Sequence, residues 1–195
     1  IPMSFNNEPE NAIAILYVGV PMPSISCTDT INFTITVNPT PDATATPSTQ
    51  TICSGAVIQT IALTGNVAGT TFDWTRDNTS NLTGIATSGS GDISGALTNT
   101  TNTIQTTIFT ITPTANGCTG TPITATVTVN PTPDATVTPS TQTICSGAVI
   151  QSIALTGSVA GTTFDWTRDN TSNLTGIAAS GSGDITGALT NTTNT

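Results

Sequence analysis

Apolar and polar residues alternate one for one in several short stretches of this chain. The segment ITATVTVN at 123–130 alternates throughout, and TTIFTIT at 106–112 does the same with Phe109 and Ile111 on its apolar face. A period of two residues is typical of a β-strand that buries one face and exposes the other. Asn116–Gly117 lies between the two segments and predicts a hairpin turn.

Further strand-like segments precede these two. They read VIQTIALTG, GTTFDWTRD and DISGALTNT, and Gly- and Asn-rich turns such as SGSGD separate them. No stretch shows helical periodicity. About seven short strands in a unit of this size predict an all-β fold, a two-sheet antiparallel β-sandwich. The large apolar residues expected to fill its core are Leu63, Phe72, Trp74, Leu97 and Phe109, with Trp166 as the counterpart of Trp74.

The chain repeats itself after 92 residues. Residues 41–103 and 133–195 align without a gap and differ at five positions, which are Ala45/Val137, Thr60/Ser152, Asn66/Ser158, Thr87/Ala179 and Ser94/Thr186. Each copy is entered through the same segment, VNPTPD, at 37–42 and at 129–134. Because each proline fixes its own φ and restricts the residue before it, this segment predicts a short, stiff, extended connector.

Three regions follow from this repeat. Residues 27–41 resemble residues 118–133, so 1–40 is predicted to be the C-terminal strands of a preceding, more divergent repeat. Residues 41–132 form one complete repeat, and 133–195 form the next repeat without its last strands. The pattern predicts a segment of a longer tandem array. The alternative is strand donation, in which one molecule completes the unfinished repeat of another.

Composition excludes several classes of function. Eleven acidic residues against two arginines give a net charge of −9, which disfavours nucleic acid and anionic membrane surfaces as partners. The longest apolar run, at 12–20, covers about half a membrane span. Histidine and lysine are both missing from the sequence, so imidazole bases and Schiff-base chemistry are excluded. We therefore expect a protein that is not an enzyme and holds no resident cofactor.

The segments FDWTRD, GSGDISGALTNTT and FTITPTANGCTGTPITATVTVNP together resemble the PKD-like (immunoglobulin-like) repeats of giant secreted surface proteins of Bacteroidetes. Gliding-motility adhesins are among the proteins that carry such repeats. The resemblance covers 41–132, nearly all of 133–195, and 11–40 loosely. It implies tandem immunoglobulin-like sandwiches, export by the type IX route, and display at the cell surface, attached to the outer membrane or in a filament.

The four cysteines recur at fixed places in the repeat. Cys53 and Cys145 precede the second strand, whereas Cys118 and its counterpart Cys27 belong to the last hairpin. In an exported protein this regularity favours disulfides. A Cys53–Cys118 bond within one repeat would span opposite ends of a sandwich, about 25 Å apart. A bond from Cys53 to the last-hairpin cysteine of the next repeat is the alternative, and both remain open, with free thiols as a third alternative.

Carboxylates and aromatic residues are the other candidate sites. Asp73, Asp77 and Asp92, or Asp42 beside the connector, could supply oxygen ligands to Ca²⁺, although solvated loop acids are the simpler interpretation. The face that carries Phe72, Trp74 and Arg76 predicts a core tryptophan capped by the arginine at the sheet edge. A sugar-stacking platform is the alternative for the same face.

Threonine supports two weaker hypotheses. Ranks of alternating threonines could order water in an ice-binding protein, but threonine is also a strand former that tolerates solvent. The triplet Asp29-Thr30-Ile31 resembles the O-glycosylation site of the bacterial group named above, which makes Thr30 a candidate for modification.

Near-identical copies joined by stiff connectors predict a spacer. We expect structural stalk repeats of a large secreted adhesin or surface filament, which carry an adhesive or motility-coupled tip away from the cell. The expected partners are neighbouring repeats of the same chain and other copies in a filament, while glycan or substratum would be bound by regions outside this sequence. The alternatives are a glycan-binding module that uses repetition for avidity and a subunit of a strand-exchanged extracellular filament.

Overall fold

The computed structural model describes residues 12–19 and 30–193. It contains 18 β-strands, and no helix occurs in these residues. The strands group into an N-terminal hairpin, a first unit that begins after the connector at 37–42, and a second unit that begins after the connector at 129–134. The all-β sandwich predicted from the alternation is confirmed.

The N-terminal hairpin consists of β1 (Ala12–Gly19) and β2 (Thr30–Val37). The two strands are antiparallel and pair along their whole length, from Ala12 opposite Val37 to Gly19 opposite Thr30. In the ladder of the described residues they pair only with each other.

The first unit contains ten strands. They are β3 (Thr44–Thr46), β4 (Thr49–Cys53), β5 (Ala62–Thr64), β6 (Thr71–Arg76), β7 (Leu82–Gly84), β8 (Ser88–Ser90), β9 (Leu97–Asn99), β10 (Gln105–Ala115), β11 (Cys118–Thr119) and β12 (Ile123–Asn130). One layer is a sheet in the order β4-β12-β10-β6-β8, with β11 paired to β10. The other layer is built from the pairs β3–β5 and β7–β9 and from the bridges Val57–Ala96 and Ile61–Ile93.

The long hairpin β10–β12 dominates the larger sheet. Strand β12 has the bounds that the alternation of ITATVTVN predicts, and its residues Ala125, Val127 and Val129 are fully buried. The turn at Asn116–Gly117 is also present, since both residues adopt positive φ angles of 50° and 76°. One pairing differs from a purely antiparallel sheet. Strand β4 joins the free edge of β12 in the parallel direction, with Cys53 opposite Asn130.

Residues from both layers of the first unit form one hydrophobic core. Its largest fully buried members include Phe109, Ile61, Leu82, Ile93 and Leu97, and Phe72 and Ile52 pack against it from the edges. The predicted core residues Leu63 and Trp74 also belong to this cluster. The burial of alternate residues on facing strands is what holds the two layers together.

The second unit repeats part of this architecture. Its strands are β13 (Thr136–Thr138), β14 (Ala154–Thr156), β15 (Asp165–Thr167), β16 (Leu174–Thr175), β17 (Ser180–Ser182) and β18 (Thr190–Asn191). They pair as β13–β14, β15–β17 and β16–β18, which are the equivalents of β3–β5, β6–β8 and β7–β9. Residues 141–145, the equivalent of β4, form no strand.

Candidate functional site

Trp74 lies in the core of the first unit. Its side chain is 8% exposed, and its ring meets Phe109 edge-on with the centroids 5.7 Å apart. Its Nε1 donates a hydrogen bond to the carbonyl oxygen of Gly91 at 3.1 Å. A ring that stacks on a sugar must be open to solvent, whereas the face of Trp74 is covered by protein. The half-buried Phe72 packs against the same core cluster, so this aromatic pair supports packing more than glycan binding.

Arg76 does not cap the tryptophan from the sheet edge as the sequence suggested. Its side chain is buried, and its guanidinium donates to the carbonyl oxygens of Leu82, Ile85 and Ala86 at 2.8–3.1 Å. Burial lowers the pKa of this guanidinium from its ordinary value, and the nearby Asp77 carboxylate acts in the opposite direction. An arginine side chain stays protonated in proteins, so the charge is stabilised by carbonyl dipoles. Arg76 therefore joins β6 to β7 and to the loop that follows it.

The carboxylates proposed for calcium are in separate places. Asp92 accepts the amide of Leu63 at 2.9 Å, and Asp77 accepts the amide of Ile108 at 2.6 Å, while Asp73 lies exposed on β6. In the part of the chain that the structure describes, no three acidic, cysteine or histidine side chains form a metal-binding group. Asp77 and Asp92 thus fasten neighbouring segments through backbone amides, and calcium binding stays a prediction.

The cysteines of the first unit lie at opposite ends of the larger sheet. Cys118 is opposite Ala115 at the tip of the last hairpin, while Cys53 is opposite Asn130 at the far end of β12. Within the described residues both are free thiols, as is the exposed Cys145. The eight residues of β12, from Ile123 to Asn130, span about 23 Å, far beyond the reach of a disulfide. This geometry disfavours the bond within one repeat.

The position of the connector bears on the alternative disulfide, the bond between two repeats. Asn38 corresponds to Asn130 in the shared VNPTPD segment, so a preceding repeat would hold its Cys53 equivalent opposite Asn38. Asn38 itself donates from Nδ2 to the carbonyl oxygen of Asn116, two residues before Cys118. The bond between repeats stays a prediction, which non-reducing peptide mapping of a longer array would test. Cys27 lies outside the described residues, and Thr30 is the first residue of β2.

The connector at 37–42 is packed onto the first unit. Pro41 is fully buried, and its carbonyl oxygen lies against Gly120 so closely that any side chain at 120 would collide with it. Asp42 accepts the amide of Asn66 at 2.7 Å. Together with the Asn38–Asn116 bond, these contacts fix the path by which the chain enters the unit.

Asn99 is a residue that stabilises the fold and that the sequence pattern did not identify. Asn99 is buried and central to a polar network. Its Nδ2 donates to the carbonyl oxygens of Val129 (3.0 Å) and Thr103 (2.7 Å), and its Oδ1 accepts the amide of Thr101 (2.9 Å). The sequence shows only a polar residue next to an alternating segment, and the bonding partners of Asn99 cannot be predicted from that pattern.

Comparisons with known proteins agree with the repeat. A model of the PKD-like domain matches residues 50–133 and, a second time, residues 142–195, so both matches begin at equivalent glutamines. No curated protein matches the chain. In the described residues there is no helix long and apolar enough to cross a bilayer.

Proposed function

The chain belongs to the PKD-like domain family, and from this premise we propose that its repeats are the stalk of a large secreted surface protein. PKD-like domains are structural modules of the immunoglobulin type, typically extracellular. In the proposed role the repeats set the distance between the cell and an adhesive or motility-coupled tip. The parent protein would be an adhesin or surface filament of the gliding-motility type, exported by the type IX route of Bacteroidetes.

The observation that supports this proposal is the proline-containing connector, each end of which is bonded to the unit that it adjoins. Along the connector at 129–134, the carbonyl of Asn130 accepts the amide of Ser54 in the first unit. Four residues later, Asp134 accepts the amide of Ser158 in the second unit, at 2.6 Å. Because the connector contains two prolines, which restrict the backbone, we expect it to resist bending. Each added repeat would bring the same joint and extend the stalk.

The length of one step follows from the strands. β10 has 11 residues, which corresponds to about 36 Å of extended strand. Threonines alternate along the outer faces of β10 and β12, with the 40% exposed Ile108 among them, so these two faces are mostly polar and uncharged. The near-identity of the units fits a function that depends on their number and stiffness, because a spacer needs copies more than it needs a distinct surface.

Stiffness of the joint is the measurable consequence. We expect small-angle X-ray scattering of the chain, at a concentration where it is monomeric, to report an extended particle with a narrow range of lengths. Replacing Pro131 and Pro133 by glycine frees the joint and should lower the radius of gyration and broaden the distribution. Replacing the exposed Thr132 and Thr136 by serine is the matched control and should change neither, because both prolines and both hydroxyl groups are kept.

Two results would contradict the stalk. One is an unchanged length distribution after the proline replacements, because the connector would then not set the geometry. The other is saturable binding of one glycan class by the chain on a glycan array, which would favour a lectin.

A further inference from the structure

Strand β8 (Ser88–Ser90) is an edge of the larger sheet in the first unit. Just before it, the amide of Arg76 donates to the Thr87 carbonyl at 2.9 Å. Just after it, the amide of Gly91 donates to the Phe72 carbonyl at 2.8 Å. This segment is therefore paired to β6 along its whole length, and its other side borders no strand in the part of the chain that the structure describes.

The alternation of these bonds decides which backbone groups of β8 are free. In an antiparallel ladder every second residue exchanges hydrogen bonds with the partner strand, and the residues between them point their amides and carbonyls the other way. Thr87, Gly89 and Gly91 point to β6 by this rule, so Ser88 and Ser90 point away from it. These four outward groups make no hydrogen bond to another described residue. The outer edge of β8 thus presents two donors and two acceptors.

The opposite edge of the same sheet is tied to the other layer. Gln50 in β4 donates from Nε2 to the Gln59 carbonyl at 2.8 Å, and its Oε1 accepts the Gln59 amide at 2.9 Å. At the β8 edge, in contrast, a cleft of about 570 Å³ lies between Ser88–Ser90 and residues 94–96, which lead into β9. The free edge of β8 therefore borders open space, where a further strand can pair with it.

The lining of this cleft favours a strand with small, uncharged side chains. Glycine, alanine and serine make up most of the lining, which Trp74 and Ile85 complete, and none of the lining residues is charged. Gly89 lies so close to the Trp74 ring that any side chain at 89 would collide with it. Strand β8 itself has the sequence Ser-Gly-Ser, so a second copy of β8 has the side chains that fit beside this edge.

The same edge recurs in the second unit. Strand β17 (Ser180–Ser182) pairs only with β15 among the described strands. The bonds from Arg168 to Ala179 and from Gly183 to Phe164 extend this pairing with the same alternation, so Ser180 and Ser182 point outward as Ser88 and Ser90 do. One chain therefore carries two equivalent free edges.

We propose that β8 of one copy of this chain pairs with β8 of a second copy, antiparallel, around a two-fold axis at Gly89. Ser88 of each copy then lies opposite Ser90 of the other. Each of the two pairs exchanges two hydrogen bonds, so every free group of both edges is satisfied and the two larger sheets become one. Strand β17 offers the same contact, and several weak contacts between two arrays of repeats add up. This inference does not depend on the stalk function.

Mass measurement of the full chain tests the proposal. With reductant present to keep the thiols free, we expect sedimentation equilibrium to show reversible association to species heavier than one chain. The contact itself contains no charged side chain, but each chain carries a net charge of −9. Association should therefore be tighter at high salt than at low salt, because salt screens the repulsion between two copies.

Proline at the edge removes the contact and keeps the sheet. Ser90→Pro together with Ser182→Pro deletes one outward amide from each edge, while the bonds to β6 and β15 do not use these amides. We expect association to be lost. The matched control, Ser90→Ala with Ser182→Ala, keeps the amides and should associate like the unchanged chain. Circular dichroism and tryptophan fluorescence first establish that Trp74 keeps its packing in each variant.

Charges at the edge test the register without a change in the backbone. One variant carries Ser88→Asp, Ser90→Asp, Ser180→Asp and Ser182→Asp, and a second variant carries lysine at the same four exposed positions. Neither variant should associate by itself, because like charges lie directly opposite each other across the two-fold axis. A mixture of the two should associate, because each carboxylate then faces an ammonium group.

Three results would overturn the proposal. The first is a single-chain mass at every concentration and salt level. The second is association that the proline replacements do not weaken, since the chains would then meet through another surface. The third is a mixture of the aspartate and lysine variants that stays monomeric, which would exclude the pairing of position 88 with position 90.

Discussion

At the residue scale, a residue of the first unit can be compared with its equivalent in the second unit. Asn99 is buried and joins β9 to β12 through the Val129 carbonyl, whereas Asn191, its equivalent, is exposed and its side chain bonds within its own turn. Loss of the asparagine side chain should therefore cost more free energy of unfolding at 99 than at 191, because only a buried polar group incurs the full penalty when its partner is lost.

We expect Asn99→Ala to lower the free energy of unfolding of the first unit by about 1–3 kcal/mol, because it removes the buried side chain that bonds the Val129 and Thr103 carbonyls and the Thr101 amide. Asn191→Ala, the control, should change stability by less than about 0.5 kcal/mol. Urea denaturation of both variants and of the unchanged chain measures the difference. Equal effects of the two changes would mean that the network does not stabilise the core.

Asp134 gives a prediction for pH dependence. Its pKa lies below the ordinary value, first because its carboxylate accepts the amide of Ser158 and second because it accepts the Ser158 hydroxyl. A depressed folded pKa means that the contribution to stability is present above the unfolded pKa, near about 3.9, and is lost as the pH falls through the folded pKa.

Nuclear magnetic resonance titration of the Asp134 carboxyl carbon checks this directly. Ser158→Ala removes the hydroxyl and keeps the amide, so the pKa of Asp134 should rise part of the way towards its ordinary value. Thr162→Ala, which removes a hydroxyl bonded to the Val159 carbonyl instead, should leave the titration unchanged. A titration of Asp134 that is the same in Ser158→Ala would exclude the hydroxyl as a cause.

At the scale of elements, the tip of the last hairpin determines how the connector is seated. Gly120 follows β11, and a methyl group there would meet the Pro41 carbonyl and the Pro113 ring. Gly120→Ala should therefore displace the connector, break the Asn38–Asn116 bond and cost about 1–3 kcal/mol through overpacking.

Hydrogen exchange of residues 38–42 measures the displacement of the connector, and thermal denaturation measures the loss of stability. Thr119→Ala is the control, because Thr119 is exposed beside the same turn and its change should leave both measurements as they were. If Gly120→Ala keeps the protection of the connector, the contact at Pro41 is not what holds it.

The elements also show where local pattern is sufficient. β12 and the core side of β10 follow from period-two alternation, and the hairpin turn follows from Asn116–Gly117, because each depends on neighbours in sequence. The parallel addition of β4 to β12 could not be predicted in the same way, since it joins segments more than 70 residues apart. The role of Arg76 was missed for a similar reason: its carbonyl partners lie on a loop that the alternation does not define.

At the scale of the whole molecule, the sequence alone determined the 92-residue repeat, its proline-containing connectors, its sandwich class and most of its core, because these depend on period, composition and copying. Only the tertiary structure decided the separation of Cys53 from Cys118, the packing of Pro41 against Gly120, and the hydrogen bonds of Asn99. The pentapeptide TQTIC makes the point: it is a strand at 49–53 and not at 141–145. A β-strand exists through hydrogen bonds to another backbone, so an identical sequence becomes a strand only where the fold supplies that partner.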